Sequence, residues 1–162
     1  MGDMAMKNIL VSVVALGALS ACANVQYAAP QSVKTMQSIS VPGAHTLGPY
    51  SQAIRAGDFV YLSGVIAFDA KAGKFAEAKI GPQTHQVFAN MKAVLAAAGL
   101  GLDDVVKTTV FLKNPKDFAP MNVIYGEYFS THKPARSSTP GVDWGRPDIL
   151  IEIDAVAYAT QR

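Results

Sequence analysis

The C-terminal stretch ILIEIDAVAY, residues 149–158, alternates small or aliphatic side chains with a second series that includes two acidic residues. Successive side chains of a β-strand point to opposite faces, so this period of two predicts a strand with one buried face. Glu152 belongs to the second series, which places an acidic side chain on the other face of the predicted sheet. The residues of the buried series are Ile149, Ile151, Ile153, Ala155 and Ala157.

Upstream of this strand, helix and strand patterns follow one another with short turns between them. Residues 104–113 have strand composition, and Pro115 opens a helix whose apolar residues lie three or four positions apart. An earlier helix runs between Gly81 and Gly99, and residues 58–68 predict a strand that enters a hairpin. These patterns predict one α+β domain with both helices on the same face of the sheet. The other face remains apolar, and we expect a partner chain to cover it.

The composition limits the class of protein. The 162 residues suffice for one domain, and 50% hydrophobic against 16% charged residues excludes disorder over the whole length. The 14 basic and 12 acidic residues give a net charge of +2 without a long run of one sign, which argues against a nucleic-acid groove. One cysteine and three scattered histidines supply neither an internal disulfide nor a zinc site at a usual spacing. We therefore expect no metal and no cofactor.

The N-terminal segment predicts export. Residues 9–21 follow Lys7, carry no charge and are too short to span a bilayer as a helix, which is typical of the apolar part of a signal peptide. The segment ends in Leu19-Ser20-Ala21-Cys22, which resembles the bacterial lipobox, in which the cysteine thiol receives a lipid. Residues 1–22 are therefore predicted to be a lipoprotein signal peptide. An ordinary signal peptide and a buried apolar stretch are the alternatives.

The residues after Cys22 predict a lipid anchor followed by a tether. Ala23 follows the cysteine where an Asp would retain the protein, and by resemblance to sorted lipoproteins this favours the periplasmic side of the outer membrane. Residues 23–40 are rich in Gln, Ser, Ala and Thr without a sustained period, which predicts a flexible tether. The folded domain is then expected over residues 41–162.

Three places combine polar side chains with residues of special backbone geometry. Taken singly, they are explained by a turn before a strand, an extended loop and a carboxylate that faces water at a sheet edge. These places are Gly48-Pro49-Tyr50-Ser51-Gln52-Ala53, Lys133-Pro134-Ala135-Arg136-Ser137-Ser138, and Glu152 in the last strand.

Taken together, these places and their surroundings resemble a known family. GPYSQAI (48–54), GDFVYLSG (57–64), YFSTHKPARS (128–137) and IEIDAVA (151–157) are similar in order and spacing to the RidA/YjgF family of enamine/imine deaminases, also called endoribonuclease L-PSP. The resemblance covers about residues 45–159. It implies a chorismate-mutase-like α+β fold, a mixed sheet with two helices on one face, and a homotrimer with its sites in clefts between subunits.

The resemblance also implies a reaction and the residues that carry it. Enzymes of the family hydrolyse 2-imino acids and 2-enamines such as 2-aminoacrylate to 2-keto acids and ammonia. Arg136 matches the arginine that binds the substrate carboxylate, and Glu152 matches the carboxylate that activates water and moves protons. Tyr50 matches a tyrosine that lines the same cleft. The substrate-binding positions implied by the resemblance are Gly64, Asn122 and Ser138.

The sequence departs from the family pattern around the cleft. Ser138 stands where many members have cysteine, Val65 replaces a glutamine, and residues 140–147 replace the V-A-x-L-P segment of the family. Trp144 is predicted to pack on the surface, with a place in the cleft wall as the alternative. The histidines predicted to have structural roles are His45, His85 and His132.

Three functions compete on these observations. The leading one is an exported deaminase of the RidA type that acts on small 2-imino or 2-enamino acids. The second is a non-catalytic trimer in the cell envelope that holds a small carboxylate, because enzymes that release enamines are mostly cytoplasmic. The third, a ribonuclease, requires a basic path for phosphates, and none is visible in the sequence. We therefore expect no nucleic-acid partner.

Overall fold

The predicted C-terminal strand lies inside a six-stranded sheet in the computed structural model, which describes residues 36–44 and 46–159. The strands are β1 (Met36–Ile39), β2 (Ala53–Ala56), β3 (Phe59–Ile66), β4 (Phe68–Asp69), β5 (Lys74–Phe75), β6 (Val105–Leu112), β7 (Ala135–Pro140) and β8 (Ile151–Tyr158), and the helices are α1 (Ile80–Ala97) and α2 (Phe118–Tyr128). The sheet has the order β1-β2-β3-β8-β6-β7, and β4 and β5 form a separate hairpin. Its strands pair antiparallel except β6 and β7, which are parallel, so the sheet is mixed as expected.

The hydrophobic core lies between the sheet and the two helices. The predicted period of two in β8 is confirmed, because every second residue from Ile151 to Ala157 is buried while those between are half-buried. The Thr108 hydroxyl of β6 contacts the Tyr125 hydroxyl of α2 on this same face. Both helices therefore cover one face, as the sequence predicts. The largest side chains that the helices bury here are Phe88, Met91, Leu95 and Met121.

The chain enters the sheet earlier than predicted. Residues 36–39, which their composition assigns to the tether, form the edge strand β1 and pair with β2. Ile39 is buried, but the other three side chains of β1 are exposed. An edge strand with so little apolar surface shows no period in the sequence, which is why the predicted boundary at residue 41 is too late.

The segment around Arg136 is the second difference from the sequence prediction. Residues 133–138 read singly as an extended loop, whereas Ala135–Pro140 form β7 and pair with β6 along its length. Most side chains of β7 are polar and exposed, so no apolar alternation marks the strand. Its partner strand is separated from it by the whole of α2, and such long-range pairing is not encoded in local composition.

The helix-free face of the sheet exposes a group of aromatic side chains. Phe59 and Tyr61 of β3 and Tyr158 of β8 keep between 40% and 48% of their surface exposed. The Phe59 ring centroid lies 5.2 Å from that of Tyr158 and 6.4 Å from that of Tyr61. The expectation that a partner chain covers this face stays a prediction.

Several sequence predictions fall outside the described residues. They are the signal peptide at 1–22 with lipidation at Cys22, the tether up to residue 35, and His45. In the part of the chain that the structure describes, neither helix is long and apolar enough to cross a lipid bilayer.

Candidate functional site

The first part of the candidate site surrounds a bulge in β3. The pairing of β3 with β8 shifts register between Leu62 and Val65, and Gly64 lies within this irregularity. A Cβ atom placed on Gly64 would lie 2.9 Å from Cγ of Glu152 and would overlap its carboxylate. Glycine therefore leaves the space that the Glu152 side chain occupies. We call Gly64 and Glu152 the carboxylate half-site.

The environment of Glu152 shifts its proton affinity. Burial raises the pKa of Glu152 above its usual value because it disfavours the charged carboxylate, and the nearby Asp154 carboxylate adds to this effect. The Trp144 side chain acts in the opposite direction and lowers the pKa. A carboxyl group whose pKa lies closer to neutrality exchanges protons more readily at physiological pH, which suits general acid–base chemistry.

Trp144 is half-buried and lies close enough to Glu152 to affect its pKa, and the prediction that it packs on the surface stays a prediction. Its neighbours fix the turn that carries it: the Gly145 amide donates to Asp143 Oδ1 at 2.9 Å, and Lys113 Nζ donates to the Arg146 carbonyl at 2.9 Å. The turn that carries Trp144 is therefore held by Lys113, which directly follows β6, and such a long-range contact leaves no pattern in the local sequence.

The segment that follows Trp144 is held against α1 by a buried glutamine. Gln83 is fully buried, donates through Nε2 to the Asp148 carbonyl at 2.8 Å and accepts from the Leu150 amide at 2.9 Å. Both polar ends of its side chain are therefore satisfied by backbone groups at the entry to β8. Sequence reasoning missed this residue, since a glutamine inside an amphipathic helix gives no sign of burial.

Tyr50 and Gly64 line a cavity of about 650 Å³ between α1, the end of β3 and the loop before Tyr50. Tyr50 is 45% exposed, and its hydroxyl accepts a hydrogen bond from the Leu47 amide at 3.3 Å. The motif that contains Tyr50 is locked to the bulge, because Ser63 donates its amide to the Gln52 carbonyl at 3.0 Å and its hydroxyl to the Ser51 carbonyl at 2.7 Å. Tyr50 and Gly64 therefore share this cavity, and Glu152 is not among the residues that line it.

The second part of the candidate site lies on the helix-covered face of the sheet. Arg136 of β7 is paired with Thr108 of β6, and its guanidinium lies over the rings of two α2 residues, 4.6 Å from the Tyr125 centroid and 5.7 Å from that of Phe118. Asn122 follows Phe118 by one helical turn, and Ser138 follows Arg136 by two residues on the same side of its strand. We call Asn122, Arg136 and Ser138 the arginine half-site.

Arg136 differs from the other arginines of the described chain. Arg55 donates to the Ala98 carbonyl at the end of α1 at 2.7 Å, and Arg146 forms a two-pronged ion pair with Asp148 at 3.0 and 2.7 Å. Within residues 36–44 and 46–159, no side chain or carbonyl oxygen accepts a hydrogen bond from the guanidinium of Arg136, which is exposed. Its planar fork is thus free to bind a carboxylate through two parallel hydrogen bonds.

The two half-sites lie on opposite faces of the sheet. Thr108, the neighbour of Arg136, pairs with Ala155, whose side chain is buried against the helices. Glu152 pairs with Phe111 and Ile66, which belong to the alternate, helix-free series. The structure therefore brings Gly64 and Glu152 into contact, and it places the three residues of the arginine half-site on the other face, but it does not join the two groups within one chain.

The described histidines make structural contacts. His85 is exposed on α1, with Nδ1 3.0 Å from the Tyr128 hydroxyl, and a ring nitrogen of His132 lies 2.7 Å from the Val105 carbonyl. Neither residue belongs to a half-site. In the described part of the chain, His, Cys, Asp and Glu side chains do not gather in groups of three that would hold a metal ion.

Comparison with known proteins places the chain in a family. A family model described as Endoribonuclease L-PSP matches residues 42–159. A RutC family protein of Pyrococcus horikoshii is 51% identical over 112 residues, which cover 69% of this chain and 88% of the relative. The 2-iminobutanoate/2-iminopropanoate deaminase of Salmonella typhimurium is 41% identical over 127 residues, covering 76% of this chain and 96% of that protein.

A solved structure has the same fold at a similar level of identity. The crystal structure of Escherichia coli TdcF with bound serine superposes with a TM-score of 0.69 at 32% identity, covering 76% of this chain and 99% of that chain. From its sequence, its fold and the extent of both matches, the chain belongs to the endoribonuclease L-PSP family, which is also called the RidA/YjgF family.

Proposed function

We propose that this protein is a deaminase that hydrolyses small 2-imino acids and their 2-enamine tautomers to 2-keto acids and ammonia. The proposal rests on the presence of two groups in one chain. One is Arg136, whose guanidinium lies over an aromatic ring with its donors free, and the other is a half-buried Glu152 whose pKa is raised. The relative from Salmonella typhimurium is named for this class of reaction, and the solved relative with bound serine holds a small amino acid. Both names fit a site for a small carboxylate.

Arg136 binds the carboxylate of the substrate in this proposal. A 2-imino acid presents a planar carboxylate next to its reactive carbon, and a guanidinium fork donates two parallel, charge-assisted hydrogen bonds to it. Asn122 follows Phe118 by one turn of α2 and Ser138 follows Arg136 by two residues of β7, and in the proposal their side chains supply further donors. These contacts fix the distance between the reactive carbon and whatever group lies across the cleft.

Glu152 moves the protons of the reaction. As a carboxylate, it accepts a proton from water while the water oxygen forms a bond to the imine carbon and the C=N π electrons move to nitrogen. It then returns this proton to the nitrogen, which gives a carbinolamine. In the last step Glu152 takes the proton of the carbinolamine hydroxyl and delivers it to the nitrogen, while the C–N bond breaks with its electrons going to ammonia and the oxygen forms the keto group. For the enamine tautomer, the protonated form of Glu152 first delivers a proton to the enamine carbon. A raised pKa suits a group that must both take and give a proton.

The proposal includes a homotrimer in which each site combines half-sites of two neighbouring chains. Arg136 and Glu152 lie on opposite faces of one sheet, so one small molecule cannot contact both within a single chain. A cyclic assembly brings the arginine half-site of one copy to the carboxylate half-site of the next. The exposed aromatic side chains of the helix-free face support an interface there.

Mixing two inactive variants tests both the reaction and the shared site. Arg136→Ala and Glu152→Gln chains are each expected to lose turnover of an enzymatically generated 2-imino acid. When equal amounts are unfolded together and refolded, a cyclic assembly with shared sites recovers about one quarter of wild-type activity, because a quarter of the interfaces join two intact half-sites. Each variant refolded alone is the control. No recovery in the mixture, with trimers formed, would contradict shared sites, and no activity in wild type would contradict the reaction.

The location of the protein is part of the proposal. The lipobox-like Leu19-Ser20-Ala21-Cys22 supports export and lipidation of Cys22, and Ala23 supports the outer membrane. Bacteria expressing the full chain are expected to incorporate radioactive palmitate into it, and membrane fractionation is expected to place it with the outer membrane. A Cys22→Ser chain is the control. Equal labelling of both chains, or none of either, would contradict lipidation.

A further inference from the structure

We propose that Phe118 and Tyr125 are positioning residues that hold the guanidinium of Arg136 in its carboxylate-binding orientation, with Thr108 fixing Tyr125. This inference rests on the proposed function and deepens it. We call Phe118, Tyr125 and Thr108 the arginine bracket.

The stacking geometry leaves the hydrogen-bonding edge of Arg136 open. Its Cζ atom lies 4.6 Å from the Tyr125 ring centroid and 5.7 Å from that of Phe118. Both rings attract the cation through their π electrons, and neither ring offers a carboxylate or carbonyl oxygen to the N–H groups of the guanidinium. The rings therefore restrain the position of the cation without competing with a carboxylate for its donors.

Tyr125 is itself fixed in place. The residue is only 8% exposed, and its ring centroid lies 4.8 Å from that of Phe129 and 5.7 Å from that of Phe88. Burial raises the pKa of Tyr125, so its phenol remains protonated and available for hydrogen bonding, although Thr108 and Arg136 oppose the shift. A ring packed in this way offers a constant surface to the cation.

Thr108 links the bracket to the backbone of the sheet. Its side chain is fully buried, and its hydroxyl lies 2.8 Å from the Tyr125 hydroxyl. The same residue is the strand neighbour of Arg136 in the parallel pair of β6 and β7. Thr108 therefore lies next to the backbone of Arg136 and also fixes the position of the Tyr125 ring that contacts its guanidinium.

This arrangement matters because a free arginine side chain is flexible. Its rotatable bonds allow many conformations, and ordering them when the substrate binds weakens binding. A guanidinium already held over two rings has lost that freedom during folding. The bracket is thus expected to increase affinity for the carboxylate, with little effect on proton transfer by Glu152 on the other half-site.

Phe118→Leu is the decisive variant because Phe118 is 38% exposed and its replacement leaves the core intact. The variant is expected to bind pyruvate, measured by calorimetry, about five- to tenfold more weakly than wild type, to raise KM for the imino acid similarly, and to change kcat less than twofold. Phe118→Tyr retains an aromatic face and is expected to restore wild-type affinity. Thr108→Val, which leaves the Tyr125 hydroxyl without its partner, is expected to weaken binding in the same direction.

The chain supplies a matched control. Arg146 stacks on Phe75 at 4.9 Å, but its fork is already occupied by Asp148. Phe75→Leu therefore removes an arginine–aromatic contact of the same kind, and pyruvate affinity is expected to remain at the wild-type value.

A spectroscopic measurement separates the bracket from the proposed function. In wild type, side-chain proton resonances of Arg136 are expected to be shifted upfield by the ring currents, and Phe118→Leu and Tyr125→Leu are expected to reduce the shift. Wild-type affinity together with an unchanged shift in Phe118→Leu would overturn the inference. If wild type neither binds pyruvate nor turns over an imine, the proposed function fails, and the ring-current shift alone decides whether the bracket holds Arg136.

Discussion

The two half-sites are built in opposite ways. The arginine half-site places an exposed cation over two aromatic rings and leaves its donors free. The carboxylate half-site places a half-buried acid over a glycine in a sheet bulge, where burial raises its pKa. An arginine stays charged under all physiological conditions, whereas burial makes the Glu152 carboxyl hold its proton to a higher pH than an ordinary glutamate does. The first half-site is therefore suited to binding and the second to proton transfer.

The largest effect is expected from Glu152→Gln. The amide cannot accept a proton from water, so kcat is expected to fall by roughly 10²- to 10⁴-fold while affinity for pyruvate stays near the wild-type value. Asp154→Asn, on the same face of β8, is the control and should retain most of the activity. Steady-state kinetics and calorimetry measure both quantities. If wild type binds pyruvate but does not turn over the imino acid, the protein is better described as a non-catalytic trimer that binds small carboxylates.

The next effect is expected from Arg136→Ala, which breaks the binding half-site. Loss of the fork is expected to cost about 2–4 kcal/mol of transition-state stabilisation, or roughly 30- to 1000-fold in kcat/KM, with pyruvate affinity falling as well. Arg146→Ala removes an arginine that is already paired with Asp148 and is the matched control. Arg136→Ala must lose affinity for pyruvate, whereas Glu152→Gln is expected to retain it. Equal pyruvate binding by Arg136→Ala and wild type would remove the distinction between the half-sites.

A smaller effect is expected from Gly64→Ala, which tests the carboxylate half-site without touching its acid. The new methyl group overlaps the Glu152 carboxylate, which is the movable end of a side chain. We therefore expect kcat to fall by about tenfold or more, with a change in the free energy of unfolding of under about 1 kcal/mol. Gly101→Ala, where a methyl group meets no atom within 4 Å, is the control for activity. Unchanged kcat in Gly64→Ala would show that the placement of Glu152 over this glycine is not needed.

The smallest effect is expected from Trp144→Phe. Trp144 lowers the pKa of Glu152, so its replacement is expected to raise that pKa further. Because the base form of Glu152 accepts the proton from water, the acid limb of the kcat/KM profile should move to higher pH. If the acid limb of Trp144→Phe lies at the same pH as that of wild type, Trp144 does not affect the pKa of Glu152.

The raised pKa of Glu152 also has a consequence for stability. The folded protein holds this proton more tightly than the unfolded chain, so the contribution of Glu152 to stability is lost as pH rises from the ordinary glutamate pKa through the raised one. In Glu152→Gln this decline should be absent, and urea unfolding at several pH values measures it. An equal decline in both proteins would assign it to other groups.

The sequence predicted the elements whose pattern is local. β8 shows a clear alternation, and α1 ends at Ala97, two residues before Gly99, whose φ of 73° is typical of the residue that closes a helix. The residues of both half-sites came from motifs resembling the family. What the sequence did not predict depends on long-range pairing: β7 is polar, and the face on which Arg136 lies is set by its register with β6. The neighbourhood of Trp144 and Glu152 is likewise long-range, because Lys113, which follows β6, holds the turn that carries Trp144.

If each site is shared between two chains as proposed, the position of Glu152 and Arg136 on opposite faces of one sheet makes catalysis depend on protein concentration. On the proposed mechanism, a solitary chain carries every required group and still has no working centre. Specific activity should then fall steeply once dilution separates the subunits, in step with dissociation rather than with unfolding. A newly made chain would remain inert until it meets its neighbours.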